Sequence, residues 1–265
     1  MKLFSIFGNP VSHSISPRMH NLAIEGLDLD ACYIRTPLKD GSKLIEKFNT
    51  LKLDGANVTV PHKEYAYELC DELDEFAKKI GAVNTLIKKD DKIIGYNTDA
   101  PGFYKAIESF GAIKSALILG AGGTAKAIAT ILKKNSLYVE VLNRSKGRLA
   151  YFYQNDFVAY SWDEFEPKAY DLIINTTSAG LSDNALPIDE KILNSLMQKS
   201  KFAFDVIYNK PTPFLALAKQ NNLRCKDGAD MLLYQGVLAL NLFFENRLND
   251  KQITILMQKA FNILN

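Results

Sequence analysis

Residues 116–148 read ALILGAGGTAKAIATILKKNSLYVEVLNRSKGR, and this stretch decides the fold. Residues 116–119 form an apolar strand that runs into a glycine turn, and residues 124–134 have the pattern of a helix. A second strand is predicted over residues 138–142. A strand, a glycine turn, a helix and a second strand in this order predict a dinucleotide-binding unit.

The turn Gly120-Ala-Gly-Gly-Thr-Ala125 has small residues where a pyrophosphate and a closely packed helix require them. Gly120 permits the sharp bend, Gly122 lets the backbone approach the pyrophosphate, and Ala125 lets the helix pack tightly on the sheet. The helix directs its free N–H groups and the positive end of its dipole at the phosphates. The cofactor-binding residues predicted in this turn are Gly120, Ala121, Gly122, Gly123, Thr124 and Ala125.

The end of the second strand decides which nucleotide fits. An NAD site usually places Asp or Glu about twenty residues past the glycines, where the carboxylate binds the ribose 2′-hydroxyl. Here the position reads Asn143-Arg-Ser-Lys-Gly-Arg148, with several cations and no acid. Because a guanidinium can bind a 2′-phosphate through its fork and stack on adenine, the sequence predicts NADP(H). A solvated basic turn is the alternative interpretation.

The composition argues against nucleic acid as the main partner. The 265 residues carry 32 basic and 30 acidic side chains, a net charge of +2. Apolar residues make up 47% of the chain, which is enough for well-packed cores. No apolar run approaches the ~18 residues that span a bilayer. The N-terminus predicts a strand and not a signal peptide, so we expect a soluble, cytoplasmic protein without a membrane partner.

The three cysteines, Cys32, Cys70 and Cys225, lie far apart in the sequence. They form no CxxC pair, so neither a disulfide framework nor a zinc site is indicated. No cluster of His, Cys or carboxylate residues has metal-ligand spacing, and no metal is expected. We expect free, buried thiols in a reducing compartment.

Strand patterns alternate with helical patterns along the chain, which predicts an α/β protein with mostly parallel sheets. The glycine turn places a Rossmann-type NADP-binding domain at residues 100–228. The remaining residues, 1–99 plus 229–265, are predicted to form a substrate-binding and catalytic domain with its own sheet. We expect a cleft between the two domains.

Three local features outside the nucleotide domain can be predicted in more detail. The strands 84–88 and 92–96 are joined by two aspartates and predict a hairpin. One helix is predicted over residues 63–80. The apolar helical segments 231–244 and 254–264 are expected to return and pack on the first domain.

The turn at residues 8–21 is the first candidate for a substrate site. Ser14 and Ser16 lie at or just before a helix expected to start at Pro17, where hydroxyls and free amides can together bind a carboxylate. The alternative is that Ser16 only caps this helix.

Two further strand ends carry charged candidates. Lys63 follows the segment Asn57-Val-Thr-Val-Pro-His and lies at the carboxyl edge of a sheet, where α/β proteins bind ligands. A lysine in the first helical turn opposes the helix dipole, which indicates a purpose other than solvation. Asp99 follows the strand that ends at Tyr96. With Pro101 in the first helical position, Asp99 is free to face the substrate, although it could instead cap the helix.

Taken together, these segments resemble the shikimate dehydrogenase family over nearly the whole chain. The matching motifs are residues 8–21, NVTVPHK at 57–63, AVNT at 82–85, NTDAPG at 97–102, the glycine and basic turns, NTTSAG at 175–180, DVIY at 205–208 with TPF at 212–214, and DG at 227–228 with YQG at 234–236. The departures are small: His62 stands where an aromatic residue is common, Ser145 replaces a threonine, and Asp230 stands where glycine is frequent.

The resemblance implies roles for individual residues. Ser14 and Ser16 would bind the substrate carboxylate, and the catalytic pair would be Lys63 and Asp99. The residues implied to hold ring hydroxyls or to lie near the substrate are Thr59, Asn84, Asp99, Gln235 and Tyr208. The further residues implied to bind NADP(H) are Asn143, Arg144, Ser145, Arg148, Thr177, Val206, Gly228 and Met231.

The family implies reversible, NADPH-dependent reduction of 3-dehydroshikimate to shikimate by a monomer or a homodimer. Lys63 is the only plausible ammonium in these motifs that could donate a proton to the developing oxyanion. Asp99 favours the charged form of a neighbouring lysine, so the sequence leaves open which of the two carries the proton. A histidine acid/base also stays open, with His13 nearest to the proposed carboxylate site.

Three alternatives compete with this prediction. One is a quinate/shikimate dehydrogenase paralogue with broader substrates. Another is a non-catalytic NADP(H)-sensing module, which would be expected to have lost Lys63 or Asp99. The third is an unrelated reductase that shares only the nucleotide half, against which the serine turn argues.

Overall fold

The computed structural model describes residues 1–208 and 210–262, and these form two compact units. Unit 1 comprises Met1–Gly102 and the C-terminal segment from Leu233, and unit 2 comprises Phe103–Leu232. Each unit is built on its own sheet with packed helices, which confirms the predicted α/β class. The predicted division at residues 99/100 and 228/229 stays a prediction.

Unit 1 alternates strands and helices from its first residues. Its elements up to the start of unit 2 are β1 Lys2–Gly8, α1 Ser16–Gly26, β2 Ala31–Pro37, α2 Leu44–Thr50, β3 Gly55–Val58, α3 Lys63–Leu69, β4 Glu72–Leu73, α4 Glu75–Ile80, β5 Thr85–Lys89, β6 Lys92–Tyr96 and α5 Asp99–Ile107. The strands form one sheet in the order β2-β1-β3-β5-β6-β4. Strand β1 runs parallel to β2 and β3, and β5 runs antiparallel to β3 and β6. The hairpin predicted around residues 84–96 is therefore confirmed.

Unit 2 has the strand order of a Rossmann fold. Its elements, followed by the two C-terminal helices, are β7 Ser115–Leu119, α6 Gly123–Lys134, β8 Tyr138–Asn143, α7 Ala150–Gln154, β9 Val158–Ser161, β10 Leu172–Asn175, α8 Glu190–Met197, β11 Phe202–Asp205, α9 Pro213–Gln220, β12 Arg224–Lys226, α10 Ala229–Phe243 and α11 Asp250–Asn262. The sheet order is β12-β11-β10-β7-β8-β9, with every pairing parallel. The chain order therefore reverses beside β7, which is where such sheets bind ligands.

The C-terminal helices pack on unit 1, as predicted. The Phe243 ring of α10 stacks on Phe4 of β1 with centroids 4.5 Å apart. A Cβ on Gly26 of α1 would collide with Leu256 of α11, so these two helices are in close contact. Residues 263 and 264 of the predicted last segment lie outside the described residues.

The helix predicted over residues 63–80 is wrong, because the chain between α3 and α4 pairs with the sheet. The Asp71 carboxylate accepts a hydrogen bond from the Ile93 backbone amide at 2.7 Å. Glu72 and Leu73 form the short strand β4 beside β6. Asp74 then caps α4 by accepting from the Phe76 amide at 2.9 Å. Hydrogen bonds to β6 thus replace one turn of helix.

A buried carboxylate supports β8, the strand that leads to the basic turn. Glu140 is 0% exposed and lies in the middle of that strand. It accepts hydrogen bonds from the hydroxyls of Tyr138 and Tyr170 and from the Lys168 ammonium at 2.6 Å. Burial alone raises the pKa of this carboxyl, but the three donors outweigh burial and leave the pKa below its ordinary value. The ionised Glu140 is therefore the form that the fold stabilises.

We expect Glu140→Gln to lower the free energy of unfolding by about 2–3 kcal/mol near neutral pH, since hydrogen bonds to a charged acceptor are lost. Because the folded pKa is lowered, this stabilisation is present above the ordinary value of 4.5 and is lost as pH falls through the folded pKa. Urea denaturation of both proteins between pH 7 and pH 3 checks this. Glu164→Gln, which alters an exposed ion pair, is the matched control. A gap between the wild type and Glu140→Gln that does not shrink in acid would contradict the expectation.

Candidate functional site

The strand register of unit 1 gathers several chain ends at one edge of its sheet. Strands β1 and β3 run parallel and end there, at Gly8 and Val58. The antiparallel β5 begins at the same edge, since Thr85 lies opposite Asn57. Strand β6 ends there as well, because Tyr96 lies opposite Thr85. The motifs predicted to bind substrate follow or precede these ends.

Lys63 and Asp99 meet at this edge. The Lys63 Nζ lies 2.6 Å from Oδ2 of Asp99, and the two side chains are 16% and 11% exposed. Lys63 is the first residue of α3 and Asp99 is the first residue of α5. Helix α5 starts at Asp99, two residues before Pro101, so the expectation that Pro101 takes the first helical position is wrong. The Asp99 carboxylate instead binds the lysine. The Ala100 amide donates to the Asn97 side chain at 3.2 Å.

Backbone hydrogen bonds fix the position of Lys63. Its carbonyl accepts from the Val83 amide at 3.0 Å, which joins α3 to the segment before β5. The neighbouring His62 is 1% exposed, and its Nε2 lies 2.6 Å from the Leu38 carbonyl. His62, which stands in place of an aromatic residue, is therefore a buried side chain that stabilises the turn before Lys63.

Asn84 is held at the same edge by Thr98, the residue before Asp99. The Thr98 amide donates to Asn84 Oδ1 at 2.7 Å, and Asn84 Nδ2 donates to the Thr98 hydroxyl at 3.0 Å. Both residues are buried. Sequence reasoning assigned Thr98 no role, although it stands in the motif that supplied Asp99.

The serine turn places Ser16 inside helix α1 and not before it. Ser16 is the first residue of α1 and its side chain does not cap the helix, so the capping alternative is wrong. The Ser16 amide and hydroxyl both lie within hydrogen-bonding distance of Ser14 Oγ, at 3.3 and 3.2 Å. The Arg35 guanidinium donates to the Ser14 carbonyl through two nitrogens, at 2.6 and 3.0 Å. Arg35 was missed because it lies on β2, far from any motif.

Gly8 and Gly102 permit close contacts with two further predicted substrate-binding residues, Thr59 and Gln235. A Cβ on Gly8 would lie 2.4 Å from Thr59 Cγ2, so Thr59 can lie against the end of β1 only because Gly8 has no side chain. A Cβ on Gly102 would lie 2.7 Å from the backbone nitrogen of Gln235. Gly102 thus lets α5, with Asp99 at its start, pack directly on α10.

The glycine turn of unit 2 has the conformation that its sequence predicts. Gly120 has a φ of +110°, and a Cβ there would lie 2.7 Å from Thr176 Oγ1. A Cβ on Gly122 would meet no atom within 4 Å, so open space faces this residue. Helix α6 begins at Gly123 without a side-chain cap. Ala125 is fully buried against the sheet. The turn thus offers uncapped backbone amides next to open space, which fits a pyrophosphate.

The cations in the basic turn after β8 differ in whether another side chain pairs with them. Lys146 forms an ion pair with Glu164 at 2.5 Å. Arg144 and Arg148 are exposed, and neither has an ion-pair partner in the described residues. Asn143 Nδ2 donates to the Ser145 carbonyl at 2.9 Å and shapes the turn. The arrangement therefore leaves the guanidiniums, and not the ammonium, available for a phosphate.

A second buried network holds the loops after β10 and β11. Asn175 Oδ1 accepts from the Thr177 amide and hydroxyl, and its Nδ2 donates to Asp205 at 3.1 Å. Burial raises the pKa of Asp205, although donors including Thr212 oppose that rise. A Cβ on Gly228 would lie 2.2 Å from the Val206 carbonyl. These contacts bring Thr177, Val206 and Gly228 to one edge of the unit 2 sheet.

The remaining candidates also lie in unit 2. Tyr208 follows β11, and burial raises the pKa of its hydroxyl. Met231 is buried near the start of α10. Asp230, the residue in place of a frequent glycine, forms an ion pair with Lys226 at 2.5 Å, so its charge is compensated within α10 and β12. The roles of Tyr208 and Met231 stay predictions.

Metal-ligand clusters and membrane-spanning helices are both absent from the described residues. Among them, no cluster of three or more His, Cys, Asp or Glu side chains is placed to hold a metal ion. None of the helices in the described ranges has the length and apolarity to cross a membrane. The cysteines are unpaired and partly exposed, so the expectation of buried thiols is wrong.

Comparison with known proteins identifies the family. The family model described as the shikimate dehydrogenase substrate binding domain matches residues 6–86. A shikimate dehydrogenase (NADP(+)) of Helicobacter hepaticus is 46% identical over 254 residues, which cover 95% of this chain and 94% of the relative. The chain belongs to the shikimate dehydrogenase family.

Solved structures of this family agree with the fold. The shikimate 5-dehydrogenase of Thermus thermophilus, crystallised with NADP(H) and shikimate, superposes with a TM-score of 0.86 at 34% identity, covering 98% of this chain and 100% of that one. The shikimate dehydrogenase of Aquifex aeolicus gives a TM-score of 0.88 at 33% identity, covering 98% and 97%.

The close approach at Gly102 generates a stability prediction. An alanine in helix α5 gains about 1 kcal/mol of helix propensity, but overpacking against the Gln235 backbone costs about 1–3 kcal/mol. We expect Gly102→Ala to lower the melting temperature in calorimetry. Gly147→Ala, where a Cβ meets nothing within 4 Å, is the control and should melt like the wild type. A Gly102→Ala protein that melts above the wild type would show that the helices are less tightly packed than described.

Proposed function

We propose that this chain is an NADP-dependent shikimate dehydrogenase that reversibly reduces 3-dehydroshikimate to shikimate, a step in the formation of chorismate and the aromatic amino acids. The observation that carries the proposal is the largely buried Lys63–Asp99 pair, 2.6 Å apart at the sheet edge of unit 1. Family membership supplies the substrate, since the relatives are named for shikimate.

Unit 1 provides the groups that a polyhydroxylated carboxylic acid requires. The hydroxyls of Ser14 and Ser16, with the amides at the start of α1, bind the carboxylate. Asn84 and Asp99 bind ring hydroxyls at the neighbouring strand ends. Thr59 and Gln235, which pack against Gly8 and Gly102, complete the substrate-binding set.

Lys63 is the proton carrier in this proposal. NADPH, when bound, would supply the hydride for the carbonyl carbon, and negative charge would then develop on the carbonyl oxygen. The Lys63 ammonium lies in a site largely removed from water, where a donor stabilises such charge strongly. It donates its proton to that oxygen and accepts it back in the oxidative direction. Asp99 holds the ammonium in place at 2.6 Å.

Unit 2 provides the groups that fit NADP(H). The amides of Gly123, Thr124 and Ala125 at the start of α6 would hold the pyrophosphate. Arg144 and Arg148 would hold the 2′-phosphate, supported by Asn143 and Ser145. Thr177, Val206, Gly228 and Met231 would lie along the rest of the cofactor.

The substrate is thus a small molecule. A monomeric or homodimeric state and a cytoplasmic location are kept as the expectations that go with this activity.

The experiment that tests the proposal follows absorbance at the reduced-nicotinamide band with shikimate and NADP⁺. We expect turnover with this pair, and much less with NAD⁺ or with quinate. A protein that binds NADPH but oxidises no cyclohexene acid would instead be a sensing module. Equal turnover of quinate and shikimate would indicate the broader paralogue.

We expect Lys63→Ala to lower kcat by at least about 100-fold, the usual contribution of a general acid. Lys63→Arg keeps a cation beside Asp99 but cannot release a proton near neutral pH, so it should lose turnover while remaining folded. Lys92→Ala, which removes the exposed ion pair with Glu72, is the control on the same unit. A kcat near the wild-type value in Lys63→Ala would contradict the assignment of Lys63 as the proton carrier.

We expect the double variant Arg144→Ala, Arg148→Ala to raise KM for NADP⁺ by about 10–100-fold, because two charge-assisted contacts to phosphate are lost. KM for NAD⁺, which lacks the 2′-phosphate, should hardly change. Lys146→Ala serves as the control because that ammonium is occupied by Glu164. Steady-state kinetics with both nucleotides provides the measurement. Equal increases in KM for NADP⁺ and NAD⁺ would show that these arginines do not bind the 2′-phosphate.

A further inference from the structure

A chain of buried side-chain hydrogen bonds runs from the interior of unit 1 to Asn84. The Tyr33 hydroxyl lies 2.7 Å from Asn57 Oδ1, and Asn57 Nδ2 lies 3.0 Å from Thr85 Oγ1. Thr85 Oγ1 in turn lies 3.0 Å from Asn84 Oδ1. Tyr33, Asn57, Thr85 and Asn84 are each at most 4% exposed. Water therefore competes little for any of these bonds.

Backbone groups fix the direction of every bond in this chain. The Thr98 amide can only donate, and it lies 2.7 Å from Asn84 Oδ1, so that atom is the oxygen of the side-chain amide. The Asn84 carbonyl can only accept, and it lies 3.3 Å from Asn57 Nδ2, which makes that atom the nitrogen. Asn57 Oδ1 must then accept from the Tyr33 hydroxyl. The chain runs one way, from Tyr33 towards Asn84.

This direction determines what Asn84 can offer to a ligand. The Thr85 hydroxyl accepts from Asn57 and donates to Asn84 Oδ1 at 3.0 Å, and that oxygen also accepts from the Thr98 amide at 2.7 Å. The Thr98 hydroxyl lies further away, at 3.2 Å from both Thr85 Oγ1 and Asn84 Oδ1. Both lone pairs of that oxygen are thereby used. One hydrogen on Nδ2 is bound to Thr98 Oγ1 at 3.0 Å. The second hydrogen on Nδ2 has no acceptor in the described parts of the chain, so Asn84 presents one donor and no acceptor.

We propose that Tyr33, Asn57 and Thr85 are positioning residues that, together with the Thr98 amide, keep Asn84 a hydrogen-bond donor only, so that the site selects a substrate oxygen that accepts at this point. The inference rests on the proposed function and deepens it. Without the Thr85 hydroxyl, the Thr98 amide would still hold Asn84 Oδ1, but one lone pair of that oxygen would be open to accept from a ligand. A hydroxyl oxygen with free lone pairs fits the fixed donor, whereas an ammonium group is rejected because it can only donate.

The test is a pair of substitutions at Thr85. Thr85→Val has nearly the same shape but no hydroxyl, whereas Thr85→Ser keeps the hydroxyl and loses a methyl group. We expect Thr85→Val to raise KM for shikimate about tenfold, the usual effect of losing one well-placed hydrogen bond. Thr85→Ser should stay within about twofold of the wild type, and KM for NADP⁺ should not change in either. Equal increases in both variants would overturn the proposal.

A double-mutant cycle separates positioning from a general structural role. If Thr85 acts through Asn84, then Thr85→Val should add no further increase in KM for shikimate in an Asn84→Ala background. A full, additive increase in that background would overturn the proposal. Thermal melts of all variants identify those that are folded.

Tyr33→Phe provides a second variant at the far end of the chain, should Thr85→Val fail to fold. It removes one hydroxyl and keeps the ring, which stacks on His20 with centroids 4.1 Å apart. We expect a rise of severalfold in KM for shikimate with kcat/KM for NADP⁺ retained. An unchanged KM for shikimate in Tyr33→Phe would overturn this inference and leave the proposed function intact. Absence of shikimate turnover in the wild type would instead overturn the proposed function.

Discussion

The ion pair between Lys63 and Asp99 is the interaction on which the site of unit 1 depends. Two charges that are largely removed from water lose hydration, and such a pair adds little to stability compared with well-packed apolar residues. Its geometry is nevertheless fixed from several sides. The Lys63 carbonyl is bonded to the Val83 amide, and helix α5 starts at Asp99 itself. The fold therefore maintains a costly charge pair at the edge where four strand ends meet.

The cations in the basic turn of unit 2 differ in whether the protein itself pairs them. Lys146 is occupied by Glu164, whereas Arg144 and Arg148 have no ion-pair partner in the described residues. Helix α6 likewise begins without a side-chain cap, and space is open at Gly122. Donors left without protein acceptors mark places where a ligand completes the structure. In both units, hydrogen bonds and ion pairs from neighbouring residues hold the side chains that are proposed to act on a ligand.

Much of this could be predicted from sequence because the decisive constraints are local. The bend at Gly120 needs a positive φ, which glycine adopts readily, so the turn was visible in the residue itself. Lys63 and Asp99 were visible as charges at strand ends. That they touch follows from the antiparallel β5–β6 hairpin, whose strands were also predicted. The roles assigned to the individual site residues stay predictions.

What sequence reasoning missed depends on partners distant in the chain. The helix predicted over residues 63–80 breaks because Asp71 accepts from the Ile93 amide across the sheet, a contact that no local pattern records. Arg35 binds Ser14 from another strand, and Glu140 is an isolated acid in an apolar strand until Tyr170 and Lys168 are placed beside it. The one-way chain through Asn57 is likewise defined only by tertiary contacts.

A crystal structure of the chain with shikimate and NADP⁺ tests the central claim most directly. We expect one ring hydroxyl oxygen of shikimate to lie within about 3 Å of Lys63 Nζ, the reach of a hydrogen bond, with the carboxylate at Ser14 and Ser16. Shikimate bound with its ring hydroxyls away from Lys63, or bound at a different edge of the sheet, would contradict the central claim.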